Sequence, residues 1–142
     1  MKLLDRAPQV VLGLALIYTG TAHLTTSRQT FQAQVPNLLK DWADQIVLIS
    51  GGFEILLGIG LVAFWKFRAQ FGLLTALFFV AIFWGNISQY LNHIDAFGLN
   101  SDRARLIRLF FQPLLVLWAL LSTGAWKDLT DRKRIFFSFI KS

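Results

Sequence analysis

The sequence of 142 residues contains no cysteine, only three prolines, and neither a nucleotide-binding motif nor a haem-ligand pair. Without cysteine, the chain forms no disulfide and has no thiol redox chemistry of its own. We therefore expect neither a metal site nor a resident electron carrier on the chain. It also lacks a convincing internal repeat, which argues against an inverted-repeat transporter built from this chain alone.

Charged residues are scarce as well, at 15%, whereas hydrophobic residues make up 55% and the mean hydropathy is +0.53. This composition is typical of a membrane protein. About 20 helical residues cross a hydrocarbon core of about 30 Å, and in lipid the backbone must satisfy its own hydrogen bonds. Four segments qualify, at Pro8–Leu24, Ile46–Trp65, Ala69–Leu91 and Leu106–Trp126. The sequence thus predicts an all-α, integral membrane four-helix bundle that forms a single domain over residues 1–142.

Basic residues are unevenly distributed between the two ends of such a bundle. Four spans place both termini and the link "KFR" on one side, which then carries nine of the 14 Lys and Arg residues. The positive-inside rule predicts cytoplasmic N- and C-termini from this bias. The basic flanks also explain the pI of about 10.2, so nucleic acid is not expected as a partner. The five basic residues on the outer side are Arg28, Lys40, Arg103, Arg105 and Arg108.

The first connection and the C-terminal tail carry amphipathic patterns. Phe31, Val35, Leu38 and Trp42 follow helical spacing, so part of the first connection is expected to lie flat in the membrane interface. The tail "DRKRIFFSFIKS" mixes cations with phenylalanines, which predicts an anchor on the anionic inner leaflet. The alternative for this tail is a helix that docks on a partner.

The stretch "ISGGFEILLGIGLVAFW" has a single carboxylate, Glu54. Gly51, Glu54 and Gly58 share one helical face, and glycines allow close helix packing, so this face is predicted to look into the bundle. Glu54 would lie roughly 12 Å below the outer end of its helix. An ionised carboxylate at that depth costs at least a few kcal/mol unless it is paired, which favours a function over a purely structural role. We expect His23 and Arg108 to be its partners.

The other predicted helices carry similar stripes, which are polar toward the outside, and this favours a first span over a cleaved signal peptide. Taken alone, Asn86 and Gln112 are better explained as interhelical hydrogen-bonding residues. His23 is equally well explained as an interfacial residue, and the alternative for Arg108 is a side chain that snorkels to the surface. Their convergence from different helices instead predicts a ligand site in the outer half of the bundle. Phe83 and Trp84 are expected beside it, as aromatic walls for a flat lipophilic molecule. The predicted ligand-binding residues are His23, Glu54, Asn86, Gln112, Arg108 and Tyr18.

These residues belong to a pattern, "YTGTAHL…F…VPNLL…ISGGFEILLGIGL…FWGN…RLFFQPLLVLW", that resembles the DoxX family of small four-helix membrane proteins along nearly the whole chain. One departure is Leu24, where "HF" is the commoner family pair. The motifs that carry the resemblance are Gly20 to His23, Phe31, Val35-Pro36, Ser50-Gly51 through Glu54 to Leu61, Asn86, and Arg108 with Gln112-Pro113.

The resemblance implies a multi-pass protein of the bacterial inner membrane with a left-handed four-helix bundle. One relative in the family is similar to the membrane subunit of a thiosulfate:quinone oxidoreductase, and others are linked to redox homeostasis or to maturation of periplasmic partners. The chain would then bind a quinone, its candidate cofactor, without holding an electron carrier of its own.

Three functions follow as hypotheses. The first is a membrane subunit that binds a quinone-like or other lipophilic ligand and serves a redox or periplasmic protein partner; if enzymatic, it is an accessory subunit of a quinone-linked oxidoreductase. The second is a non-enzymatic assembly or interaction protein, in which the polar residues only fix helix register. The third is a small proton-coupled exporter that uses its membrane-embedded Glu.

Overall fold

The computed structural model describes residues 3–95, 98 and 100–141, with side chains from residue 4 to 133. All regular secondary structure in this part of the chain is helical. Two short 3-10 helices, Asn37–Trp42 and Trp65–Phe67, lie in the connections. The α-helices are α1 (Leu3–Leu24), α2 (Arg28–Gln32), α3 (Ala43–Ala63), α4 (Arg68–Leu91), α5 (Asp102–Thr123) and α6 (Ala125–Lys141).

Four of these helices, α1, α3, α4 and α5, are long and apolar enough to cross a membrane, which confirms the predicted four-helix pattern. Their outward faces carry many exposed Leu, Ile, Val and Phe side chains, as expected for contact with lipid. The fourth span ends at Thr123, three residues before the predicted end. Gly124 adopts a left-handed conformation with φ of 78°, which ends α5 and separates it from α6.

The four long helices form two tightly packed pairs. α1 packs along α3, and α4 packs along α5, while narrower contacts of α3 with α4 and of α1 with α5 join the pairs. We call the end with the α1–α3 and α4–α5 connections the loop end, and the opposite end the terminal end. Buried apolar side chains fill the terminal half, among them Leu12, Leu61, Ala76 and Ala119. The packed core thus leaves the loop half as the place for a site.

The first connection lies across the loop end as α2 and the 3-10 helix Asn37–Trp42. Arg28 and Gln32 both bond to the carboxylate of Asp44 at the start of α3, Gln32 through an Nε2–Oδ1 distance of 2.7 Å. The hydrogen bond to Asp44 raises the pKa of Arg28 above its ordinary value. The side chains of the predicted surface anchor at the C-terminus, from residue 134 onward, lie outside the described residues.

Candidate functional site

A cavity of about 880 Å³ lies between the two helix pairs in the loop half, beneath the first connection. Its walls are mostly apolar, and its volume falls in the range of small-molecule sites. Every long helix contributes to the wall, and so does the connection. The polar side chains that line it are Thr19, His23, Gln34, Ser50, Glu54, Asn86, Arg108 and Gln112.

Glycines bring α1 and α3 into backbone contact beside this cavity. A Cβ atom on Gly20 would lie 2.7 Å from the carbonyl oxygen of Gly51, and a Cβ atom on Gly51 would lie 3.0 Å from the carbonyl oxygen of Gly20. Gly13 and Gly58 form a second reciprocal contact closer to the terminal end. Side chains that follow these glycines on the two helices are therefore held at short range.

His23 and Glu54 face each other across the contact between α1 and α3. A helical side chain leans toward the N-terminus of its helix, and the two helices are antiparallel, so His23 leans toward the middle of the bundle and Glu54 toward the loop end. Nδ1 of His23 lies 2.9 Å from Oε2 of Glu54. The residues are only 7% and 4% exposed. Glu54 lies roughly 16 Å along α3, deeper than the 12 Å we expected, because α3 begins three residues earlier, at Ala43.

The contact between His23 and Glu54 is close but poorly aligned. The carboxylate oxygen lies away from the direction of an Nδ1–H bond, and among the described residues neither atom has a hydrogen-bond partner of good geometry. Buried polar atoms are normally hydrogen-bonded, so this pair has capacity for a further partner in the cavity.

A chain of hydrogen bonds crosses the α4–α5 side of the cavity. Nε2 of Gln112 donates to the carbonyl of Phe79 over 2.8 Å, and Nδ2 of Asn86 donates to Oε1 of Gln112 over 3.0 Å. Nε of Arg108 donates to Oδ1 of Asn86 over 3.1 Å. The chain fixes the orientation of both amides and turns the Arg108 guanidinium inward rather than toward the surface, where the snorkelling alternative would put it.

Gln34, in the first connection, extends this chain to the loop end. Its Oε1 accepts from Nη2 of Arg108 over 3.4 Å, and its Nε2 donates to Oε1 of Gln89 over 2.7 Å. Gly85 allows the approach, since a Cβ atom there would lie 3.0 Å from the carbonyl oxygen of Gln34. The ring of Phe31 packs edge-on against the imidazole of His23. The first connection is therefore a polar and aromatic lid over the cavity.

Five of the six predicted site residues line the cavity, and Tyr18 does not. Tyr18 is 77% exposed on the outward face of α1. Arg108 bonds to Asn86 and Gln34, and the close contact of Glu54 is with His23, so the expected pairing of Arg108 with Glu54 is not among the ion pairs of the described residues. Of the two expected aromatic residues, Trp84 lines the cavity and Phe83 does not.

Sequence reasoning missed Gln34 and Gln89 as parts of the site. Gln34 lies in a connection, where no helical period indicates which way a side chain points. Gln89 lies on the predicted third helix, and its burial depends on the lid that packs against it. The available signal was Gly85 in "FWGN", since a glycine on a helix face indicates close approach of another backbone.

Comparison with known proteins assigns the chain to a family without assigning a function. The family model DUF8561, a domain of unknown function, matches residues 12–123. The chain therefore belongs to the DUF8561 family. No curated protein and no solved structure matches it.

Proposed function

We propose that this protein is a DoxX-like, multi-pass subunit of a bacterial inner membrane, which binds a quinone-like lipophilic ligand in its cavity and serves a redox partner. The positive-inside rule puts the loop end, and with it the cavity, in the periplasmic half. The residues of the DoxX resemblance support this reading, since Gly20 and Gly51 shape the site while His23, Glu54 and Asn86 line it.

The observation that carries the proposal is that two chemically different polar walls share one apolar cavity. The α1–α3 wall presents the buried His23–Glu54 pair, which has unused hydrogen-bonding capacity. The α4–α5 wall presents the Arg108 guanidinium with Asn86 and Gln112. A flat molecule with an oxygen at each end suits this pair of walls, and a quinone is such a molecule.

The chain would act on such a ligand as a binding and proton-holding site. A bound quinone supplies two-electron redox chemistry, and the electrons come from a partner because the chain has no cysteine and, among its described residues, no metal-binding cluster. Arg108 and Asn86 would orient one oxygen of the ligand through hydrogen bonds. His23 and Glu54 would hold a proton for the opposite oxygen, and the apolar walls would exclude water from both.

Binding of a short-tailed quinone analogue to the protein in lipid nanodiscs tests the proposal. Glu54→Gln and His23→Ala should each weaken binding by about tenfold or more, because each removes a charge-assisted hydrogen bond of about 1.5–3 kcal/mol. Tyr18→Phe is the matched control on α1 and should leave the dissociation constant unchanged, since Tyr18 faces away from the cavity. Unchanged binding by folded Glu54→Gln and His23→Ala variants would refute the quinone site.

The proposed partner requires a separate measurement. Crosslinking in native membranes should capture a redox or periplasmic protein in stoichiometric amount. Mass spectrometry of lipids that copurify with the protein should detect the native ligand. A clean monomer or homodimer, free of any such ligand, would contradict the proposed role as a subunit.

A further inference from the structure

The cavity reaches the lipid-facing surface between α3 and α4. Leu38, Ala81 and Trp84 all line the cavity and are also exposed on the outside of the protein. Leu38 is 89% exposed and Trp84 is 64% exposed. A side chain that lines a cavity and is largely exposed lies at its mouth, so a molecule can pass from the bilayer into the site at this gap.

A shallow apolar groove of about 290 Å³ continues from this opening along the outside of the protein. It is lined by Ile46, Ile49, Ser50, Phe53 and Phe78. Two of these residues, Ile46 and Ser50, also line the cavity, so the two spaces share one wall on α3. The groove therefore lies directly against the site, on the other side of Ile46 and Ser50.

The direction of the groove follows from the helix registers. Ile46 lies near the loop end of α3, whereas Phe53 and Phe78 each lie ten residues from the terminal ends of their helices, at Ala63 and Arg68. At about 1.5 Å per residue, both phenylalanines are roughly 15 Å from that end, near the middle of a bilayer about 30 Å thick. The groove thus reaches the bilayer midplane alongside the site, since Glu54 in the cavity wall follows Phe53 directly.

We propose that this groove holds the apolar tail of the ligand whose head group occupies the cavity, and that the ligand enters sideways from the bilayer between α3 and α4. This inference rests on the proposed function and adds the ligand class, a membrane lipid with a small oxygen-bearing head and a long apolar tail. The argument for the ligand's own tail is that Ile46 and Ser50 line both spaces, so a tail that leaves the cavity at the α3–α4 opening meets the groove at once.

A second opening between α1 and α5 provides the competing path. Ala15 and Phe111 line the cavity there and are exposed as well. That opening, however, has no groove of this kind among the described residues, whereas the α3–α4 opening has one directly beside it. The two paths predict different neighbours for the tail, which makes them separable by experiment.

Photo-crosslinking of the wild-type protein in nanodiscs tests the tail position directly. A quinone with a diazirine in its isoprenoid tail should crosslink to Ile49, Phe53 and Phe78, as identified by mass spectrometry. Crosslinks at Ala15 and Phe111 would overturn the proposed path. Crosslinks spread over the lipid-facing surface would overturn it too, and would leave the groove to bilayer acyl chains.

A blocking variant tests the groove. Ile49→Trp adds a large ring to the groove at a residue that does not line the cavity, and should weaken binding of the tailed quinone by about tenfold while a tail-free analogue keeps its affinity. The matched control, Leu56→Trp, lies on the same helix at an exposed position that lines neither space, and should affect neither ligand. Wild-type affinity of Ile49→Trp for the tailed quinone would refute the groove, whereas absence of quinone binding by the wild-type protein would refute the proposed function itself.

Discussion

Alanine at Gly51 should separate the His23–Glu54 pair, whereas alanine at the adjacent Gly52 should not. A Cβ atom on Gly51 would lie 2.7 Å from Cβ of His23, and ordinary contact begins at 3.4 Å, so the two atoms must move apart by 3.4 − 2.7 = 0.7 Å. A Cβ atom on Gly51 would also lie 3.0 Å from the carbonyl oxygen of Gly20, so α1 and α3 must move apart here, and the contact of 2.9 Å between His23 and Glu54 should lengthen.

The energetic effect can be isolated because Gly51 and Gly52 are neighbours in α3. Each substitution gains the same helix propensity, about 0.5–1 kcal/mol. Only Gly51→Ala also introduces overpacking, which costs about 1–3 kcal/mol. Nothing lies within 4 Å of a Cβ atom on Gly52. The difference in unfolding free energy between the two variants should therefore be about 1–3 kcal/mol, with Gly52→Ala the more stable.

Reversible unfolding in mixed micelles, followed by far-UV circular dichroism, measures this difference. Binding of the short-tailed quinone provides an independent readout, and Gly51→Ala should weaken it by about as much as His23→Ala does. Equal stability of the two alanine variants would refute the close approach of α1 and α3. Normal quinone binding by Gly51→Ala would show instead that the His23–Glu54 distance does not matter to the ligand.

Two further predictions concern the lid and the buried amides. Gln34→Ala removes the hydrogen bonds to Gln89 and Arg108 and should destabilise the closed lid by about 1–2 kcal/mol. Hydrogen exchange over residues 28–42 should then be faster, and unchanged exchange would show that Gln34 does not hold the lid closed. Gln9→Met removes one bond to the Leu61 carbonyl but also a buried Oε1 without a partner, so stability should change by less than about 1 kcal/mol. Gln112→Met removes the oxygen that accepts from Nδ2 of Asn86, and should lower the free energy of unfolding by about 1–3 kcal/mol. Equal losses of stability for the two methionine variants in chemical unfolding would refute this distinction.

Hydrophobic length and helical period were enough to predict the four long helices and the inward face of α3. The period also explains the failure at Tyr18. A helix turns by about 100° per residue, so Tyr18 lies about 200° from Gly20 and hence on the opposite face of α1. Tyr18 is close in sequence to the inward-facing residues of α1, but it is not on the same face.

The partners of the buried groups were harder to predict than their positions. Arg108 is long enough to reach either Glu54 or Asn86, and the sequence does not fix which of them it meets. The partner that Arg108 meets depends on Gln34, which accepts from it as well. Gln34 reaches this position over α4 because the first connection turns back and because Gly85 leaves space for it. Contacts that depend on three separate segments leave no periodic signal in any one of them.

The reciprocal glycine contacts of α1 and α3 give the two sides of the cavity unequal freedom. The backbones of α1 and α3 are in contact at Gly13 with Gly58 and at Gly20 with Gly51, so these two helices have little room to move relative to each other. Under the proposed function, ligands of different width would then be accommodated by movement of α4, α5 and the lid. The acid and the imidazole would keep a constant separation, so a ligand of any width would meet the same pair at the same depth.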